Sequence, residues 1–204
     1  MLEAKNITFR YGNDERDILQ DFNFCLSPGE RKGLLAPSGF GKTTLCKILA
    51  GYQRPDQGVV LLDGRPLYPF KGYCPVQMVW QHPEAVLDPR MRMKATLAEG
   101  KVDAGRILPQ LGIRREWLER YPHELSGGEL QRFAIARALG QDTRFLLADE
   151  ISAMLDAVTQ AQIWQFLLHE LAARNTGLLT VSHSESLLKQ LCGENVLYLR
   201  EKMD

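Results

Sequence analysis

The stretch Ala36-Pro37-Ser38-Gly39-Phe40-Gly41-Lys42-Thr43 is the part of this sequence best equipped for chemistry. It follows the pattern G-x-x-x-x-G-K-[ST], with Ala36 where the first glycine stands. Small residues let successive backbone N–H groups curl around a phosphate. A helix beginning at Lys42 aims its N-terminal amides at the same anion. Lys42 can reach the β- and γ-phosphates of a nucleoside triphosphate, and Thr43 offers a hydroxyl to Mg²⁺. Pro37 to Thr43, with Thr44 beside them, are the candidate nucleotide contacts. A residue before proline is pushed towards extended geometry, so alanine is expected to sit at position 36 without strain. At positive φ it would cost roughly 1–2 kcal/mol.

Phe145-Leu146-Leu147-Ala148-Asp149-Glu150 supplies the complementary acids. An apolar strand ends in two carboxylates, and ligands of open α/β sheets sit at the carboxyl ends of strands. Asp149 is placed to hold Mg²⁺ and Glu150 to polarise an attacking water; a solvated loop acid is the plainer reading of Glu150. The two stretches together predict a P-loop NTPase that works with Mg²⁺, without saying which one.

The elements that must position these groups follow from periodicity. Strands are predicted over 7–11, 18–26, 33–36, 59–62, 76–80, 145–148, 178–181 and 196–199. Asp63-Gly64 reads as a hairpin turn. Helices are predicted from Lys42 to about Gly51, around the face Leu130, Phe133, Ala134 and Ala138, around Ile163 to Leu171, and over 184–191. Apolar strands alternating with amphipathic helices imply an α/β fold: a mostly parallel sheet covered on both faces. The first thirty residues read as strands and turns, an N-terminal antiparallel β-subdomain. From about 82 to 125 the pattern turns irregular and helix-leaning, which predicts a helical subdomain inserted in a single domain spanning 1–204.

The 204 residues carry 25 basic and 25 acidic side chains, a balance that speaks against a dedicated nucleic-acid binder. Cys25, Cys46, Cys74 and Cys192 are scattered, without CxxC or metal-ligand spacing, as expected of reduced thiols. MLEAKNITFRYG lacks the apolar core of a signal peptide. No apolar run reaches about eighteen residues, so a membrane role has to come through partners.

Leu125-Ser126-Gly127-Gly128-Glu129-Leu130-Gln131-Arg132 separates the P-loop families. Here the sequence resembles the ATP-binding-cassette ATPases, whose signature is LSGGQ, and the resemblance covers essentially the whole chain. It implies that two subunits sandwich two nucleotides, with Ser126, Gly127, Gly128 and Glu129 facing the partner's γ-phosphate. It also implies that Tyr11 stacks on adenine, that Gln81 senses Mg²⁺, and that His183 contacts the γ-phosphate beside Glu150. Asp156 matches the loop that touches the opposite subunit, and can equally cap the helix that follows it. Glu129, Ile151, Ala153, Met154 and Ser184 depart from the family's usual residues. They bear on communication across the dimer and remove no catalytic group.

Gln81-His82-Pro83…Leu87-Asp88-Pro89-Arg90 and Arg120-Tyr121-Pro122-His123-Glu124-Leu125-Ser126 look like the oligopeptide, dipeptide and nickel importer branch. That likeness implies transmembrane permease subunits, a second ATPase subunit identical or related, and an extracytoplasmic binding protein. It places the chain at the cytoplasmic face of the membrane. The interval from Gln81 to Ser126 is shorter than usual there, and the chain stops at Met203-Asp204 without the branch's common extension. An ATPase serving an exporter or another membrane machine, and a soluble cassette of the repair or ribosome-associated kind, are the alternatives.

Overall fold

The computed structural model describes residues 1–12, 17–37, 39–70, 72–153 and 155–199. Ser38 and Met154, both singled out above, lie outside the described residues. In chain order the strands are β1 (Leu2–Phe9), β2 (Leu19–Leu26), β3 (Arg31–Leu35), β4 (Gln57–Leu62), β5 (Arg65–Pro66), β6 (Val76–Val79), β7 (Phe145–Asp149), β8 (Gly177–Ser182) and β9 (Val196–Tyr198). The helices are α1 (Lys42–Leu49), α2 (Met93–Glu99), α3 (Ala104–Gln110), α4 (Gly127–Ala138), α5 (Ala157–Ala173) and α6 (Glu185–Cys192).

Two sheets divide the strands. The first is antiparallel in the order β2-β1-β4-β5; the second is parallel in the order β6-β7-β8-β3-β9. β7 lies inside the parallel sheet and is buried along its whole length. Phe145 and Leu147 face one core, with α1 and the antiparallel sheet. Leu146 and Ala148 face the other, with α4, α5 and the helical stretch. A strand buried on both faces has no polar side, which explains the unbroken apolar run before Asp149.

β1 departs from the reading of 7–11 as the first strand. It starts at Leu2, and its buried residues are Leu2, Ala4, Ile7 and Phe9. The two-residue alternation slips between Ala4 and Ile7, where Asn6 takes φ 53° and the register shifts. Tyr11 therefore lies just beyond the strand. The turn at Asp63 (φ 51°) and Gly64 (φ 76°) has positive φ at both central residues and joins β4 to β5, as an Asp-Gly hairpin should.

Between 82 and 125 the described residues form α2, α3 and three short 3₁₀ turns, at Pro83–Ala85, Arg115–Glu119 and Pro122–Glu124, with no strand. Two buttresses tie neighbouring elements together. Arg106 of α3 makes a bidentate pair with Glu170 of α5, and Arg174 donates to the carbonyls of Leu139 and Gly140 behind α4. No helix among the described residues is long and apolar enough to cross a membrane.

Candidate functional site

The loop from β3 to α1 turns on Gly39 (φ 85°) and Gly41 (φ 77°), a conformation that side-chain-bearing residues resist. Gly41 is the residue from which α1 starts, and a Cβ there would meet the Ile18 side chain at 2.4 Å. Ala36 is buried and is not among the residues at positive φ, in line with its place before Pro37. Lys42 is only 6% exposed, and its ammonium donates to the carbonyls of Ala36 and Pro37, each at 2.9 Å. A buried cation whose partners are mostly neutral carbonyls on a glycine loop is well suited to an anion.

Parallel pairing brings the other charged groups to the same place. β7 and β8 are neighbours in parallel, so Glu150 and His183, each one residue past its strand, emerge side by side. Glu150 Oε1 lies 2.7 Å from His183 Nε2 and 3.7 Å from Lys42 Nζ. Glu150 takes φ 51°, and its N–H donates to the Val181 carbonyl at 3.1 Å. A non-glycine residue in this region is uncommon and strained, and such residues gather at functional sites.

Thr43 Oγ1 donates to Asp149 Oδ2 at 2.6 Å. Asp149 is 2% exposed, and burial holds its carboxyl above the usual range against the opposing Thr43 hydrogen bond. Its second oxygen, Oδ1, is buried and accepts no hydrogen bond from the described residues. An orphaned carboxylate oxygen beside a threonine hydroxyl fits a hard divalent cation. No cluster of three or more His, Cys, Asp or Glu that could hold a metal occurs among the described residues. Thr43 and Asp149 are the residues that would hold such a cation.

Tyr11 is half exposed at the edge of this cluster; its hydroxyl is 3.0 Å from Thr44 Oγ1 and its ring meets Phe9 edge-on at 4.9 Å. Gln81 lies two residues past the end of β6 and is partly buried. Pro37 is exposed, and Phe40 partly so.

Ser126 caps α4 with a reciprocal pair: Glu129 N–H donates to Ser126 Oγ at 3.4 Å, and Ser126 N–H donates to Glu129 Oε2 at 2.8 Å. The Ser126 hydroxyl donates to the same carboxylate oxygen at 2.9 Å. These bonds hold the Glu129 carboxyl below its usual range, the Ser126 N–H foremost, and they give a reason for Glu where Gln is common. A Cβ on Gly127 would meet nothing, and one on Gly128 only Leu155 at 3.4 Å. Neither glycine has positive φ. The chain's own folding therefore demands no glycine at 127. Among the described residues no hydrogen bond or ion pair links Ser126 or Glu129 to the Lys42–Glu150 cluster.

The unusual residues have local reasons. Asp156 caps α5, accepting from Val158 N–H at 3.1 Å and Thr159 N–H at 2.9 Å. Ser184 caps α6, accepting from Leu187 N–H at 3.3 Å, a task serine performs about as well as aspartate. Ile151 is 2% exposed in the core against α5. Ser152, unremarked in the sequence, accepts from Gln160 at 3.0 Å and from the Trp164 indole at 3.2 Å, anchoring the loop before Asp156. Only the helical spacing of Gln160 and Trp164 could have hinted at it.

Residues 19–153 match the family model described as ABC transporter. The chain is 32% identical to the oligopeptide transport ATP-binding protein OppF of Streptococcus mutans, covering 94% of this chain and 69% of that protein. It is 36% identical to the nickel import ATP-binding protein NikE of Rhodospirillum rubrum, covering 91% and 73%. It is 37% identical to the taurine import ATP-binding protein TauB of Pseudomonas aeruginosa, covering 89% and 72%. Among solved structures, a dimeric ATP-binding cassette in a post-hydrolysis state, bound to ADP and Pi, superimposes with a TM-score of 0.85 at 25% identity, covering 98% of this chain and 94% of that one. A bacterial Atm1-family exporter with ATP bound shares the fold at a TM-score of 0.80 and 23% identity, over 98% of this chain and 37% of that one.

Proposed function

This chain belongs to the ABC transporter family and hydrolyses ATP, and we propose that it does so as one of two cassettes that clamp nucleotide between them and drive membrane subunits. The observation that carries this reading is the convergence of Lys42, Thr43, Asp149, Glu150 and His183 at the carboxyl end of one parallel sheet. In this reading Lys42 leaves its loop carbonyls for the β- and γ-phosphates, joined by the backbone N–H groups of 39–44. Thr43 and Asp149 hold Mg²⁺, assisted by Gln81. When bound, the ion would neutralise charge on the triphosphate. Glu150 polarises the attacking water, and His183 steadies Glu150 and the γ-phosphate. Tyr11 takes the adenine. Catalysis rests on positioning and electrostatics, with general-base help worth about 10²–10⁴ in rate.

The signature supports the word "two". Ser126, Gly127, Gly128 and Glu129 present a capped helix start with open space at Gly127, unconnected to their own subunit's cluster. A phosphate on a second subunit, identical or related, suits that surface. Asp156, exposed at the far end of the loop leading away from Glu150, would meet the same partner. Sedimentation of Glu150→Gln with and without ATP tests the clamp. ATP-dependent association is expected, and its absence, both alone and with a related cassette, would sink the reading.

An open groove of roughly 660 Å³ supports membrane partners. Its aromatic lining includes Tyr52, Tyr68 and Phe70, each about half exposed. Exposed aromatic rings beside the charged Glu99, Lys101 and Arg137 suit a segment of a permease subunit. With OppF, NikE and TauB as relatives, we favour import at the cytoplasmic face of the membrane, of peptide, nickel or another small solute delivered by a binding protein. Co-purification of the tagged chain with membrane subunits encoded beside it is the check. Recovery with ribosomes or DNA instead would overturn it.

A further inference from the structure

Gln131 is a buried polar residue of α4 that the reading above leaves unused. It is 2% exposed on a helix whose neighbours Leu130, Phe133, Ala134 and Ile135 are all buried and apolar. Burying an amide there is costly unless it is bonded. Its Nε2 donates to the backbone carbonyl of Trp80 at 3.2 Å. Trp80 follows the last residue of β6, and Gln81 comes next. The bond therefore holds the chain immediately before Gln81.

Trp80 is also gripped from its other side. Its ring meets Tyr52 at 5.4 Å and the Lys47 ammonium at 5.2 Å. Lys47 belongs to α1, the helix that begins at Lys42, and Tyr52 follows its end. The segment carrying Gln81 is thus suspended between the helix of the phosphate loop and the helix of the signature. Gln131 stands little more than one turn beyond Ser126 on α4. A helix moves as a rigid unit over that distance, so a tilt of Ser126 must either carry Trp80 with it or break the amide bond.

We propose that Gln131 is a positioning residue for hydrolysis: its amide sets the place of Gln81 and so ties the signature helix of a subunit to the metal and water at that subunit's own phosphates. This rests on the assignment of Gln81 to the nucleotide site. The alternative is that Gln131 merely satisfies a carbonyl at a strand end, and the two differ in what happens when Gln81 is already gone.

The test is a double-mutant cycle on the full chain with Mg-ATP. Gln131→Met keeps the length of the side chain and removes the donor. Gln131→Leu, which also removes the donor and places no charge in the core, is the second variant, in case the first does not fold. In an otherwise native chain either is expected to lower kcat about tenfold or more, with the dissociation constant for ATP within about twofold of wild type. In a Gln81→Ala background the same change is expected to cost less than about twofold further, because the residue it acts through is absent. Equal loss in both backgrounds, or wild-type kcat in the single variants, overturns the proposal. Wild-type kcat in Gln81→Ala alone is a different failure, since it removes Gln81 from the site and Gln131's role with it.

Discussion

Glu150 Oε1 and His183 Nε2 stand 2.7 Å apart although thirty-three positions separate them in the sequence. The contact exists because β7 and β8 run parallel as neighbours and end together, with Asp149 opposite Val181. It orients the carboxylate beside Lys42 and leaves the imidazole half exposed towards the mouth of the site.

Glu150→Gln keeps the size of the side chain and removes its basicity. Hydrolysis is expected to fall by about 10²–10⁴, with ATP still bound. Phosphate release measured beside nucleotide titration separates the two effects. A wild-type rate would move the base to another residue.

Lys42→Ala removes the buried ammonium rather than the base. Nucleotide affinity itself is expected to fall about tenfold or more, since the charge-assisted bonds to phosphate are lost. Fluorescent-nucleotide titration reads this directly. Unchanged affinity would count against the loop as the phosphate site.

Gly127→Ala separates folding from partnership. The added methyl meets nothing within the chain, and alanine is the better helix former by up to about 1 kcal/mol. The melting temperature is expected to hold or rise slightly, while ATP-driven association of the Glu150→Gln protein is lost. Loss of both together would mean the glycine serves the fold.

Glu170 gives a pH signature. Hydrogen bonds from Arg106, aided by the charge of Arg174, hold its carboxyl below the usual range despite burial. The folded state then binds fewer protons than the unfolded one. The stabilisation is present above the ordinary carboxyl value of about 4.3 and is lost as pH falls through the lowered folded value. Glu170→Gln is expected to cost about 1–3 kcal/mol at neutral pH and to flatten the acid limb of a stability profile. Denaturant titrations from pH 7 down to pH 3 would show it; an unchanged acid limb would refute it.

Much of this was legible in the sequence because the signals are local. The glycines at 39 and 41 mark a turn, and Phe145 to Ala148 are apolar on both faces because both faces are buried. Leu130, Phe133, Ala134 and Ala138 form one buried stripe, as their spacing suggests. What was not legible depends on distance in the chain. The Arg106–Glu170 pair and the Gln131–Trp80 bond join positions whose proximity only the fold decides. The start of β1 was missed for another reason: Asn6 breaks the alternation that would have announced Leu2 and Ala4. The likeness to the signature picked out Ser126 to Glu129, but not how Glu129 engages Ser126.

That engagement has a consequence. A hydroxyl carries one hydrogen, and that of Ser126 is already given to a carboxylate. Offering it to a phosphate on another molecule is an exchange of one anionic acceptor for another, not the creation of a bond. The gain is the difference between two similar partners, and the abandoned Glu129 charge stays close to the newcomer. A phosphate arriving there would gain less from Ser126 than from a hydroxyl with no prior acceptor, which would favour a contact that reopens over one that stays shut.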